Sequence, residues 1–174
     1  MQKYVLVYFV VGMMMITVLA SAQEPVQTIP YKPDPPIAID GKTGDWQAVP
    51  GARTPDGDPG MTIHTAWRDE ALFLAVEVKD AAVQPVCLSV TGNSTTERRV
   101  LHFDPAATPP SVKPIVPDTL DTSGVQTASE RGEQGWALET ALPWSVLGMT
   151  ARKSGQIFGL RVEVGAQPAV DGAL

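Results

Sequence analysis

The sequence predicts an all-β protein, an antiparallel β-sandwich of jelly-roll type, and three observations carry that expectation. Short stretches alternate polar and apolar residues at period two, which puts one set of side chains on each face of a strand. Turn chemistry recurs between them: 16 prolines and 15 glycines in 174 residues interrupt the chain too often for long helices, because Pro breaks helix interiors and central strands alike. Only Trp144-Ser145-Val146-Leu147 resembles a helix, opened by Pro143 and stopped by Gly148, so a single turn is expected there. Eight or so short strands without intervening helical patterns favour a sandwich over an α/β sheet.

The chain opens with a segment that precedes this domain. Lys3 is a short positive region, Tyr4 to Leu19 is an almost unbroken apolar run, and Ala20-Ser21-Ala22 offers small residues for cleavage. Residues 1–22 therefore read as a secretory signal peptide, which places the mature protein outside the cytoplasm, secreted or periplasmic, with no stable membrane span after cleavage. A retained anchor is the rival reading, since Tyr4–Ala20 is 17 residues long, at the lower edge of the spanning range. Residues 23–36 contain EPVQTIPYKPDPP, a proline-rich extended leader that tethers rather than folds. Residues 37–174 form the domain.

Within it, Ile37 to Gly41 predicts a short strand entering a turn, and Asp45-Trp46 begins a brief helical or looped stretch that ends at Pro50-Gly51. Thr62–Trp67 and Leu72–Val78 flank the polar corner Arg68-Asp69-Glu70 and predict a hairpin. Leu72, Leu74, Val76 and Val78 share one face of the second strand and Phe73, Ala75 and Glu77 the other, so both faces are expected to be at least partly covered. Further strands are predicted at 85–91, 97–103, 125–129, 136–142 and 157–165. Asp104 to Ser123 holds five prolines and is expected to be an irregular loop over the sandwich edge.

Charge and cysteine content narrow the function. Removing the signal takes away one Lys and no acid, leaving 12 basic and 19 acidic residues and a net charge of −7. Nucleic acid is a poor partner for such a chain, because phosphate binding needs clustered Lys and Arg. Cys87 is the single cysteine, so no intramolecular disulfide forms and the core must hold the fold. Its place in an alternating stretch reads as a half-buried strand residue. Asn93-Ser94-Thr95 matches a glycosylation sequon.

Catalytic motifs are absent. His64 and His102 lie in different predicted strands, Cys87 has no CxxC partner, and neither a GxSxG elbow nor a phosphate-binding glycine loop occurs. An autonomous enzyme is not expected. Among the mature aromatics, Tyr31, Trp46, Trp67, Phe73, Phe103, Trp136, Trp144 and Phe158, half are Trp, which suits stacking on the apolar faces of sugar rings. Burial in the sandwich core is the competing reading for each. Trp46 and Trp144 look structural, Trp67 beside Arg68-Asp69-Glu70 is the best exposed candidate, and Trp136 is the next. Asp40, Asp45, Asp69 and Asp80 offer hard oxygen ligands for a structural calcium, although aspartates populate turns for backbone reasons alone.

Four segments resemble a known pattern: Ile39-Asp40-Gly41 with Asp45-Trp46; Ala66-Trp67-Arg68-Asp69-Glu70 through Val78-Lys79-Asp80; Gly135-Trp136-Ala137-Leu138-Glu139 through Leu142-Pro143-Trp144; and GQIFGLRVEV from Gly155 to Val164. Together, over Ile37 to Val164, they resemble the family 9 carbohydrate-binding module and its DOMON-like relatives. The third segment is the most specific. The resemblance implies a non-catalytic β-sandwich that binds oligo- or polysaccharide in carbohydrate breakdown, beside glycoside hydrolases, sometimes with structural calcium. It implies Trp67 as a stacking platform, Arg68, Glu77 or Arg99 bonding sugar hydroxyls, and Trp136 as a further candidate. The segment from Gly92 to Asp104 matches only approximately. A further loop and closing strand are also implied beyond Val164, so a truncation at the C-terminal end is expected. Two alternatives stand beside this reading: a haem-binding electron-transfer domain using Met61, Met149, His64 or His102, and a degenerate structural module of an envelope assembly.

Overall fold

The computed structural model describes residues 29, 36–53, 60–80, 82–91, 98–149 and 159–165. The signal peptide, most of the leader, the Asn93 sequon and the stretch beyond Gly165 lie outside the described residues.

Among the described residues nine strands build two antiparallel sheets. They are β1 (Gly51–Arg53), β2 (Met61–Trp67), β3 (Ala71–Val78), β4 (Val86–Thr91), β5 (Arg98–Asp104), β6 (Ser111–Val116), β7 (Gln126–Gly132), β8 (Gly135–Pro143) and β9 (Gly159–Val164). The five-stranded sheet has the order β1-β2-β3-β8-β7, the four-stranded sheet the order β6-β5-β4-β9. The β2–β3 hairpin forms as predicted, with Trp67 opposite Leu72 and Met61 opposite Val78. Arg68 N–H closes its corner on Ala71 O at 3.0 Å.

The alternation in β3 divides the core. Leu72, Leu74, Val76 and Val78 face the four-stranded sheet and pack with Val86, Leu88, Val90, Leu101 and Phe103 between the layers. Phe73 and Ala75, on the other face, pack with Ala66, Ala71 and Ala141 beneath Ile37, Trp46 and Val49. Small side chains on that outer face leave room for the Trp46 indole, which is fully buried. The five-stranded sheet is thus covered on both sides, as β3 foretold.

Two expectations are corrected. Ile37–Gly41 forms no strand; its N–H groups turn to carboxylates, Ala38 N–H to Asp45 Oδ2 at 2.8 Å and Gly41 N–H to Glu139 Oε2 at 2.7 Å. A 3-10 turn at Thr43–Trp46 follows. The proline-rich stretch from Asp104 to Ser123 contains a strand, β6, because an edge position tolerates Pro114: its neighbour β5 lies on one side only, so the missing N–H costs less than in a central strand. The expected turn after Pro143 is present, with Val146 N–H on Pro143 O at 2.9 Å and Met149 N–H on Trp144 O at 2.8 Å. Among the described residues no helix is long and apolar enough to cross a membrane.

Candidate functional site

The strongest polar constellation is a clasp. Glu139 projects from β8 onto the outer face of the five-stranded sheet and is fully buried. Its Oε1 accepts Trp46 Nε1–H at 2.7 Å, and its Oε2 accepts Gly41 N–H at 2.7 Å and Asp40 N–H at 3.1 Å. Gly41 adopts a positive φ of 87°, and a Cβ there would stand 2.9 Å from the backbone carbon of Ser129. Only glycine lets the clasp lie this close to β7. Burial raises the Glu139 pKa; the hydrogen bonds from Trp46, Gly41 and Asp40 pull it back, and the nearby Asp45 charge adds to the rise. The motif residues Asp-Gly, Asp-Trp and Glu139 are therefore a fastening that holds residues 37–49 on the sheet.

Residues nominated from the sequence divide between the two ends of the sandwich. Trp67, Arg68 and Arg99 lie at the end that carries the β2–β3 corner. Trp67 is half-buried against the inner core, and its Nε1–H donates to Ile29 O at 3.0 Å. The Arg68 guanidinium carbon sits 5.7 Å from the Phe73 ring centroid and its Nη1 3.6 Å from Glu70. Arg99 lies against Gly148, where a Cβ would come within 2.6 Å of its guanidinium. Glu77 lies five residues from Leu72 along β3, about 17 Å away at the strand rise of about 3.4 Å per residue. It therefore does not share a site with Trp67.

Trp136 requires a correction. It pairs with Val78 at the far end of β8, is only 4% exposed, and donates its Nε1–H to Ala82 O at 3.0 Å. Its face is spent on the core because Leu138 and Leu142 share its parity in β8 and all three pack inward.

Around Glu77 the surface is concave. An open cleft of about 590 Å³ is lined by Lys42 and Thr43 from the clasp, Thr62 and Glu77 from the sheet, Lys79, and Glu130, Glu133 and Gln134 around the β7–β8 hairpin. Glu77 Oε2 stands 4.0 Å from His64 Nε2, while His64 Nδ1 is 3.0 Å from Val49 O. The cleft thus mixes carboxylate and amide acceptors with ammonium and hydroxyl donors. Trp136, though buried, also borders the cleft, so of its lining the sequence nominated Glu77 and Trp136. Lys42, Lys79, Glu130, Glu133 and Gln134 sit in turns or at strand ends, and a polar turn residue carries no local signal of which distant segments share its cleft.

The aspartates do not converge on a calcium site. Asp40 Oδ1 accepts Lys42 N–H at 2.9 Å, Asp45 Oδ2 accepts Ala38 N–H, and Asp80 takes Ala82 N–H at 3.0 Å and Gln84 Nε2 at 3.3 Å. Asp69 lies in the β2–β3 corner, at the end opposite Asp80. Asp45 Oδ1 is buried without a partner, one oxygen where calcium takes about six or more. Among the described residues no three His, Cys, Asp or Glu groups gather to hold a metal. The haem candidates also scatter: Met61 and Met149 pack at opposite ends of the inner core, His64 lies on the outer face of the five-stranded sheet, and His102, between inward Leu101 and Phe103, points out of the other sheet.

No family model matches the chain, and no curated protein matches it. Two solved structures of a family 9 carbohydrate-binding module from Caldicellulosiruptor kristjanssonii do. The one in complex with cellotriose is 14% identical with a TM-score of 0.60, over 78% of this chain and 74% of that one. The one in complex with glucose is 16% identical with a TM-score of 0.61, over 78% and 75%. The identities are low, but the fold is shared over about three quarters of each chain: the protein has the fold of a family 9 carbohydrate-binding module.

Proposed function

We propose that the protein is a non-catalytic saccharide-binding module, exported from the cytoplasm, that holds a sugar in the cleft beside Glu77. The observation that carries this reading is the cleft itself, an open depression that sets acceptor and donor side chains among apolar surface. A sugar hydroxyl both donates and accepts, so Glu77, Glu130 and Gln134 take its protons while Lys42, Lys79 and the threonine hydroxyls supply theirs. The shared fold with modules solved holding cellotriose and glucose supports the ligand class. A place beside exported glycoside hydrolases accords with the signal-like N-terminus and with the resemblance of the four sequence segments.

A second reading places the sugar at the opposite end, on the half-buried Trp67 indole with Arg68 and Arg99. The presence of an aromatic ring and two guanidinium groups at one end of the sandwich favours it. Titration calorimetry with glucose, cellotriose and a panel of other oligosaccharides separates the two. In the cleft reading Glu77→Gln weakens binding by about tenfold, the worth of one charge-assisted hydrogen bond, and Trp67→Ala leaves it unchanged once circular dichroism shows the variant folded. The reverse pattern selects the Trp67 end. No heat with any saccharide overturns the function, and a secreted product whose N-terminus is not Gln23 overturns the signal assignment.

A further inference from the structure

The four edges of the two sheets differ in how open they are to another strand. β1 is three residues long. β6 carries Pro114, which has no N–H to offer, and its register shifts between Val100 and Leu101. β7 reads QTASERG, with no apolar side chain larger than Ala128, so a strand added to it would bury little. Such features are the ordinary means of blunting an edge.

β9 has none of them. It is six residues, GLRVEV, without proline, and it pairs with β4 in unbroken register from Gly159 opposite Thr91 to Val164 opposite Val86. Among the described residues no strand lies on its other side. Leu160, Val162 and Val164 point toward the inner core yet remain only half-buried. Arg161 and Glu163 point the opposite way, with side chains 70% and 35% exposed and joined at 2.7 Å.

We propose that β9 is the docking edge for a second copy of this chain, joined antiparallel about a two-fold axis through Val162. The charge pattern selects that register. Pairing must keep apolar residues opposite apolar residues, which a one-residue slip would destroy by turning the partner's inner face outward. Of the remaining two-fold registers, one centred on Arg161 sets Arg161 against itself and one centred on Glu163 sets Glu163 against itself. Centring on Val162 sets Arg161 opposite the second copy's Glu163 twice over, while Leu160 meets Val164 on the inner face. Each intrachain Arg–Glu contact then gains a cross-strand partner. The two four-stranded sheets become one continuous sheet with both five-stranded sheets on the same side, a closed isologous contact that leaves no edge for a third copy at β9.

Sedimentation equilibrium of the purified protein under reducing conditions, which excludes a Cys87 disulfide, tests this. A concentration-dependent monomer–dimer equilibrium that weakens with added salt is expected. Arg161→Glu and Glu163→Arg each put like charges across both symmetric pairs and should weaken the dimer by about tenfold or more, whereas the double exchange Arg161→Glu with Glu163→Arg restores it. Arg161 is largely exposed, so its variant carries the test even where the Glu163 variant fails to fold. A wild-type chain that stays monomeric up to about 1 mM, well above ordinary working affinities, overturns the proposal. So do single variants that dimerise as strongly as wild type, or a double exchange no stronger than the singles.

Discussion

Glu139 and Trp46, 93 residues apart in sequence, meet at 2.7 Å with both side chains fully buried. Their contact fastens the segment before β1 to the outer face of the five-stranded sheet. Trp46→Phe keeps most of the ring bulk but takes the donor from Glu139 Oε1, and Glu139→Gln sets an amide N–H₂ against N–H donors. Each change is expected to lower the unfolding free energy by about 1–3 kcal/mol, the cost of an unsatisfied buried polar group. Denaturant titration measures it. Because both changes break one network, the double variant should lose less than the sum of the two.

The same carboxylate gives the stability a pH dependence of definite sign. Burial raises the Glu139 pKa above the ordinary carboxylate range despite the three hydrogen bonds, so the folded protein keeps this proton to higher pH than the unfolded chain does. Between the ordinary value and the raised one the native state binds more protons, and stability falls as pH rises through that window. Asp121, exposed and held down by hydrogen bonds from Ser123, acts in the opposite direction at lower pH. Subtracting the melting profile of Glu139→Gln from that of wild type isolates the Glu139 contribution: the difference should decline across the window and level off above it. A difference that rises there contradicts the assignment.

Gly135 opens β8 with a φ of 156°, and a Cβ on it would stand 2.1 Å from Val78 O. The tight β7–β8 hairpin presses its backbone onto the end of β3, so Gly135→Ala must move main chain rather than a flexible side-chain end. A loss of about 2 kcal/mol or more is expected. Gly44, in the 3-10 turn, has nothing within 4 Å of the same position, and Gly44→Ala should change stability by less than about 0.5 kcal/mol. Thermal unfolding of the pair checks both at once.

How legible all this was depended on whether the controlling interaction is local. The period-two alternation in Leu72–Val78 foretold a strand covered on both faces, because side-chain parity is fixed by the backbone. Ile37–Gly41 has the composition of a strand but spends its N–H groups on Asp45 and Glu139, and Glu139 lies about a hundred residues away. Pro114 argued against a strand and was overruled by an edge position that only the assembled sheet defines. Arg68 precedes β3 and Glu77 lies near its end, so the length of the strand carries these two nominated residues to opposite ends of the sandwich. Lys42, Thr62 and Glu133 meet in one cleft only because the clasp, β2 and the β7–β8 hairpin converge there.

The four tryptophans provide a direct reading of which end of the sandwich takes a ligand. Trp46, Trp136 and Trp144 are 0%, 4% and 7% exposed, each with its indole N–H given to a buried or part-buried acceptor. Trp67 alone is half-buried rather than buried. Acrylamide should therefore quench one component of the fluorescence readily and leave the remainder nearly untouched, and Trp67→Phe should abolish the accessible component. A saccharide bound in the cleft beside Glu77 lies far from this ring and should leave quenching as it was. A saccharide stacked at the Trp67 end should protect the accessible component in proportion to occupancy. If Trp67→Phe leaves the quenchable fraction unchanged, the burial assigned to the other three tryptophans is wrong, and Trp136 regains its claim as a ligand platform.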